Sequence, residues 1–209
     1  MTLIELAERR RSERDPLLKM GTAILRLNER IAEEQDAIRD QSIISMDEAG
    51  IPAVVGFRDG QIVERAQLQI AALTDSKSQL ESLIDEAEAA FEDFGLAATS
   101  MEALDEKIRE NQDMAHEIAL KANRIARKLL GDHPALTLSE LFANEELQEL
   151  EGMRSAAIIQ GAKEAGRLIE LKDRLIPLCK EASAIADDVF YPHRKAISDP
   201  ARISEMRSA

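Results

Sequence analysis

One long stripe of apolar residues limits what this chain can fold into. Its positions recur at alternating steps of three and four residues, and a single lysine interrupts it. The stripe consists of Val63, Ala66, Ile70, Leu73, Lys77, Leu80, Ile84, Ala87, Phe91 and Phe94. Because this spacing keeps the side chains on one helix face for more than four heptads, it predicts a helix over residues 61–94 that packs along another helix.

Three further segments have the same periodicity. Asp15 followed by Pro16 is typical of a helix start, and this helix is predicted to extend to about residue 45. The capping-box pattern of Thr99 and Glu102 precedes a third stripe, which closes near Gly131. The last stripe runs from Leu168 to Val189. These stripes predict four long helices in total.

Shorter elements are predicted around the long helices. Residues 1–12 are compatible with a short amphipathic helix, and Thr137 with Glu140 forms a second capping-box pattern that opens a short helix. We expect Gly152 to separate that short helix from the last long one. Pro177 lies within the last stripe, where it removes one backbone hydrogen bond, so it predicts a kink rather than an end.

The segment at residues 50–62 breaks the helical pattern with several glycines and a proline. Val54, Val55 and Phe57 stand before Asp59-Gly60, a pair typical of tight hairpin turns. One interpretation is a small β-hairpin or ordered loop between two helices. The other is a connector whose three apolar residues cap the core of a helical hairpin.

Composition supports long helices rather than a thick β-core. Only 3% of the 209 residues are aromatic, whereas 44% are hydrophobic. We therefore predict an all-α fold: an elongated antiparallel bundle of about four long helices with coiled-coil-like packing and one or two short helices. The predicted domains are a basic arm or short helix at 1–14, a bundle at 15–190 and a flexible tail at 191–209.

The charge distribution points to protein partners. The formal charge is −13, and residues 33–113 hold twenty acidic against six basic residues. An acidic chain is disfavoured on nucleic acid and on anionic lipid, because both present phosphates. We expect a protein partner or self-association, as a homo-oligomer or as a subunit of a larger assembly, with no direct nucleic-acid or membrane contact.

Two polar residues, Lys77 and Asn111, occupy positions in the apolar stripes, and Cys179 directly follows a residue of the last stripe. Lys77 is interpreted as snorkelling, with its stem buried and its ammonium near Glu81. Asn111 either sets the helix register or lies at the edge of the stripe. The single Cys179 cannot form an internal disulfide, so it is expected to be a small buried residue in a cytoplasmic protein.

Three charged clusters are the candidate interaction residues. The first is a group of N-terminal arginines, the second an acidic face of the 61–94 helix with Lys77, and the third a basic face near residue 124. They comprise Arg9, Arg10, Arg11 and Arg14; Lys77, Glu81, Asp85, Glu88 and Glu92; and Lys121, Arg124 and Lys128. Helix-dipole complementation is the alternative reading of the third cluster.

Catalytic chemistry has little support in the sequence. Asp113 and His116 have the carboxylate-x-x-His spacing of di-metal bundles, but the motif occurs once and such sites need it twice. No phosphate loop, nucleophile elbow or Cys-x-x-Cys pair is present. We therefore expect no catalytic residue, no metal and no cofactor.

Three functions follow from these patterns. The first is a non-catalytic structural or assembly protein that acts through helix-mediated protein contacts and oligomerises. The second is an acidic inhibitor or nucleic-acid mimic that binds a basic protein, based on the acidic middle segment. The third is a metal-binding bundle enzyme, based on Asp113 and His116 alone.

Overall fold

The computed structural model describes residues 1–46, 52–132 and 145–192. It is 82% helical, and within these residues it has five helices and one two-stranded antiparallel sheet. The helices are α1 (Leu3–Arg9), α2 (Pro16–Gln41), α3 (Gly60–Asp93), α4 (Met101–Asp132) and α5 (Glu145–Phe190), and the strands are β1 (Ser42–Met46) and β2 (Pro52–Phe57). The predicted all-α class is confirmed, with the small sheet as an addition.

Local sequence signals define several helix ends. The carboxylate of Asp15 accepts hydrogen bonds from the backbone N–H groups of Leu17 and Leu18 at 3.1 Å, so the predicted N-cap of α2 is confirmed. Gly95 has a φ of +65° directly after α3. The N–H of Gly95 donates to the Glu92 carbonyl and that of Leu96 to the Phe91 carbonyl, which is the hydrogen-bond pattern of a Schellman end.

The chain divides into two compact units, which are described separately. One unit contains Met1–Ser100 together with the chain from Leu175 onward, and the other contains Met101–Arg174. The first unit has its core where α2, α3 and the C-terminal part of α5 bury aliphatic faces. Fully buried side chains there include Leu17, Met20, Ile24, Leu27, Leu80, Phe91 and Leu175. In the second unit, Leu104 of α4 and Leu171 of α5 are fully buried.

The short N-terminal helix lies directly against α2. Gly21 permits this approach: a Cβ at that position would be 2.7 Å from the Ala7 Cβ and 3.0 Å from the Leu3 carbonyl oxygen. The N–H of Leu3 donates to the carboxylate of Glu88 on α3 at 2.6 Å. Leu3 and Ala7 are fully buried. Of the two predictions for residues 1–14, a basic arm or a short helix, the structure shows a short helix packed against α2.

The C-terminal end of α5 is held to α2 by polar contacts as well. The ammonium of Lys19 contacts the Asp187 carboxylate at 2.7 Å, with the lysine largely shielded from solvent. The guanidinium of Arg26 lies 4.3 Å from the centroid of the Phe190 ring, a cation–π geometry. The Tyr191 hydroxyl donates to Glu13 at 3.2 Å. These contacts lie at the edge of the aliphatic core.

Several predicted boundaries are wrong. The helix predicted to reach residue 45 ends at Gln41, because the β-branched run that follows pairs as β1. Gly152 does not separate two helices but lies inside α5, where a Cβ would meet no atom within 4 Å. α5 also continues through Pro177, as predicted. The start of the predicted short helix at Thr137 and the tail after residue 192 lie outside the described residues.

Candidate interaction surfaces

A β-hairpin connects α2 to α3. β1 and β2 are antiparallel, with Ser42 opposite Phe57 and Met46 opposite Pro52. The register shifts between Ile43 and Ile44, because Ile43 pairs with Gly56 and Ile44 with Val54; this leaves Val55 as the extra residue of a bulge on β2. A β-hairpin between two helices is therefore confirmed, but its strands are residues 42–46 and 52–57, so the predicted bounds of 50–62 are wrong.

The predicted turn within the hairpin is wrong. Asp59 belongs to the next helix, because its carboxylate accepts hydrogen bonds from the N–H groups of Gln61 and Ile62 as the N-cap of α3. The strands are instead joined by residues 47–51, which lie outside the described part of the chain.

The hairpin exposes nearly all its apolar side chains. Its large hydrophobic residues are between 41% and 68% exposed: Ile43, Ile44, Met46, Val54, Val55 and Phe57. The alternative interpretation, in which Val54, Val55 and Phe57 cap a helical core, is therefore wrong. Neither strand contains a charged residue. The result is an uncharged apolar surface on a chain of formal charge −13.

The ends of α2 and α3 position this hairpin. The N–H of Arg58 donates to the Gln41 carbonyl at 2.8 Å, which closes the base of the two strands. Farther along the helix pair, the Gln69 amide faces the Glu34 carboxylate and, with its nitrogen toward the acid, donates to both oxygens at 2.8 and 3.0 Å. A polar pair of this kind between packed helices favours one register. The hairpin thus continues from a defined helix pair.

The predicted N-terminal arginine cluster is exposed but partly engaged within the unit. Arg9, Arg10, Arg11 and Arg14 all lie at the surface. Arg11 contacts Glu29 of α2 at 2.8 Å, with both side chains more than half exposed. Such an exposed ion pair adds little stability. The structure therefore brings these arginines to the surface without gathering them into one formed site.

The predicted acidic face of α3 is partly used inside the molecule. Asp85 and Glu92 are exposed. Glu88 accepts the Leu3 N–H at the start of α1, and Glu81 lies 3.6 Å from the Lys77 ammonium. The half-buried Lys77 thus has the partner that snorkelling predicts. Carboxylates with these internal roles are less suited to imitating a free row of phosphates.

The basic residues of α4 form an exposed patch. Lys121, Arg124 and Lys128 are exposed, and the Lys121 ammonium lies 3.9 Å from Glu117 of the same helix. The amide of Asn111 donates to the Lys107 carbonyl one turn earlier at 2.9 Å. That bond within α4 matches the edge position proposed for Asn111 rather than a contact that sets register between helices.

A shallow cleft of about 460 Å³ lies between α4 and α5 within the second unit. Small and branched apolar side chains line most of it, and two polar residues complete it. The lining consists of Gln112, His116, Ala119, Ile158, Ala162, Ala165, Gly166 and Ile169. Asp113 and His116 are exposed. Across residues 1–46, 52–132 and 145–192, no three His, Cys, Asp or Glu side chains are grouped as metal ligands.

These surfaces have no precedent among the proteins compared. No family model, no curated protein and no solved structure matches the chain. Within the described part of the chain, none of the helices is both long enough and apolar enough to cross a membrane. The chain's own surfaces are therefore the basis on which its function is inferred.

Sequence analysis missed half of the exposed hairpin surface. Ile43 and Ile44 fall within the helix predicted to reach about residue 45, and Met46 falls in the break that follows, whereas all three lie on β1. The available signal was the pair of adjacent isoleucines after the last stripe position, Ile38, because β-branched residues favour strands. Local pattern alone, however, does not show whether a strand is covered.

Cys179 is predicted to resist thiol reagents. Its burial, together with the nearby Asp15 carboxylate, raises the pKa of the thiol from 9.0 to about 11. At pH 8 the folded protein should hold roughly a hundredfold less thiolate than the unfolded chain. Reaction with a chromogenic disulfide, followed with and without urea, should show at least this difference. Equal rates in the two states would contradict the burial argument.

The same shift predicts a pH dependence of stability. Because the pKa is higher in the folded state, the unfolded chain loses the Cys179 proton first as the pH rises. The contribution of this thiol to stability should therefore fall between about pH 9 and about pH 11. Urea unfolding across this range should show a steeper decline for the natural protein than for Cys179→Ala. Parallel declines would show that the thiol is not the cause.

Proposed function

We propose that this chain is a non-catalytic structural or assembly protein that joins a larger complex through its apolar hairpin. The supporting observation is the set of six exposed hydrophobic side chains on two strands without a charged residue. Exposed apolar side chains clustered on one short element mark interaction sites, because leaving them in water has a free-energy cost. A protein partner that covers the hairpin removes that cost.

The size of the surface indicates what kind of partner is needed. Full burial of a large aliphatic side chain is worth about 1.5–3 kcal/mol, so six half-exposed ones offer roughly 1 kcal/mol apiece. Association itself costs about 4 kcal/mol or more. The hairpin therefore yields a lasting complex only with a partner that also contributes apolar surface.

The helices have a supporting role in this proposal. α2 and α3 hold the hairpin through the contacts at Gln41 and Glu34, and stripe residues such as Leu27 and Leu80 are buried within the unit. Antiparallel, coiled-coil-like packing of the long helices and additional helix-mediated contacts belong to the same proposal. We also place the protein in the cytoplasm, because the lone Cys179 is buried and its fold needs no disulfide.

The proposal is tested by sedimentation of the labelled chain in extracts of cells that make it. The natural chain should sediment as part of a particle whose mass is well above the 23.2 kDa of one copy. The double variant Ile44→Thr, Val54→Thr should sediment as a single copy, because threonine keeps strand propensity while removing apolar surface from a paired position.

A matched control is available on α3. Leu68 is as exposed as Met46, yet it lies outside the hairpin, so Leu68→Gln should leave the complex unchanged. Sedimentation of the natural chain as one copy would overturn the proposal. The same conclusion would follow if the double variant stayed in the large complex, or if Leu68→Gln caused the complex to dissociate to the same extent as the double variant.

A further inference from the structure

We propose that the partner of the hairpin is the hairpin of a second copy of this chain. In this dimer the two β1 strands pair antiparallel about Ile44, and the sheet order is β2-β1-β1-β2 across the two copies. The inference rests on the proposed function and specifies which edge of the hairpin the partner occupies. In the part of the chain that the structure describes, no third strand pairs with either edge of the sheet.

The two edges of the hairpin differ in their ability to accept another strand. β2 carries Pro52, which has no backbone N–H, and the bulge at Val55. Proline and bulges are the features that block pairing at an edge. β1 has neither: its five residues, Ser42 to Met46, include two isoleucines and no proline or charge. β1 is therefore the open edge.

The charge of the chain limits where two copies can meet. Two chains of formal charge −13 repel each other. That repulsion is least costly where the contact itself contains no charged residue, and β1 and β2 meet this condition. A basic partner, by contrast, would gain nothing from an uncharged strand.

The sequence of β1 is compatible with two-fold symmetry. Antiparallel pairing about Ile44 places each Ile44 opposite its equivalent, Ile43 opposite Ser45, and Ser42 opposite Met46. No like charges meet, and the central pair is β-branched on both sides, which stabilises cross-strand contacts. Symmetric dimers of this type use one self-complementary patch on each copy.

Pairing also corrects a weakness of the isolated hairpin. An isolated two-stranded hairpin is marginally stable at best in water, and a sheet needs three or more strands for independent stability. The register places Ile44 and Val54 on one face, next to Met46 and Pro52. Joining two copies adds backbone hydrogen bonds along β1 and brings the two Ile44 side chains into contact, as in other β-augmentation interfaces.

Disulfide trapping with single cysteines tests the pairing. In purified full-length protein with Cys179→Ala, Ile44→Cys should form a covalent dimer under mild oxidation, because directly opposed residues lie about 4.5–5.5 Å apart between Cα atoms. The control is Val54→Cys, at the partner position on β2, with similar exposure. It should not form a dimer, because three strand spacings of about 4.8 Å each separate its two copies.

A second pair of variants uses one rung of the hairpin. Ser45 and Ala53 lie opposite each other on β1 and β2. Ser45→Lys should raise the dissociation constant of the dimer at least about tenfold. The interface is symmetric, so each copy places one lysine in it and the two positive charges repel each other. Ala53→Lys should change it much less, since β2 is the outer strand.

The outcomes separate this inference from the proposed function. Preferential dimers of Ile44→Cys, with weakening by Ser45→Lys alone, support β1 pairing. Equal trapping at both positions, trapping at Val54 only, or no trapping in an oligomeric protein overturns it. A purified chain that stays monomeric also overturns it, even if the extract still shows a hairpin-dependent complex. In that last case another protein is the partner and the proposed function stands.

Discussion

Replacing Phe91 with alanine should lower the free energy of unfolding by about 3–5 kcal/mol. Phe91 is 1% exposed and is one of the largest fully buried side chains of the first unit. Its removal loses the transfer free energy of the ring and leaves a cavity that the rigid helices around it can only partly fill. Urea unfolding followed by far-UV circular dichroism measures the change.

The control for this prediction lies on the same helix. Leu68 is 68% exposed, and Leu68→Ala should change stability by less than about 0.5 kcal/mol. If Phe91→Ala cost no more than Leu68→Ala, the α3 stripe would not form the core that its burial indicates. A large loss in both variants would instead indicate an effect on helix propensity.

Replacing Gly21 with alanine should destabilise the first unit by about 2 kcal/mol and release α1 from α2. The added methyl group would lie 2.7 Å from the Ala7 Cβ and 3.0 Å from a backbone oxygen, neither of which can rotate away. Alanine has the higher helix propensity, by about 1 kcal/mol, but overpacking outweighs this gain. Release of α1 would also expose Leu3 and break its hydrogen bond to Glu88.

Tryptic cleavage provides a local readout of the same variant. Arg9 is the last residue of α1, and Arg10 and Arg11 follow it directly, so the chain should be cut faster at these arginines in Gly21→Ala. Gly152→Ala is the matched control, because a Cβ there meets no atom within 4 Å. It should stabilise the protein by about 0.5–1 kcal/mol and leave cleavage at the N-terminus unchanged. Stabilisation by both variants would contradict the close approach of α1.

Features specified by neighbouring residues were predictable from the sequence. The N-cap at Asp15, the end of α3 before the left-handed Gly95, the stripe of α3 and the passage of α5 through Pro177 depend on contacts within a few residues. The boundary at Gln41 was not predictable with the same certainty. The short apolar run at Ile43 and Ile44 is compatible with the end of a helix and with a strand. These residues form a strand because they pair with β2.

The candidate site depended on more distant contacts. The role of Glu88 required knowing that Leu3, 85 residues earlier, lies beside it. The exposure of Val54 and Phe57 required knowing that no described helix covers them. Neither fact has a local signature, so sequence reasoning assigned interaction to charged residues, although some of these have intramolecular partners.

The sequence by itself determined the secondary structure for the most part: long amphipathic helices, their caps and a break with strand-forming residues between two of them. This is because helical periodicity and capping act over three or four residues. Only the tertiary structure decided which apolar residues are buried and which are left in water. Burial depends on elements far apart in the chain, and the two strands that no described element covers are therefore the surface on which the proposed assembly depends.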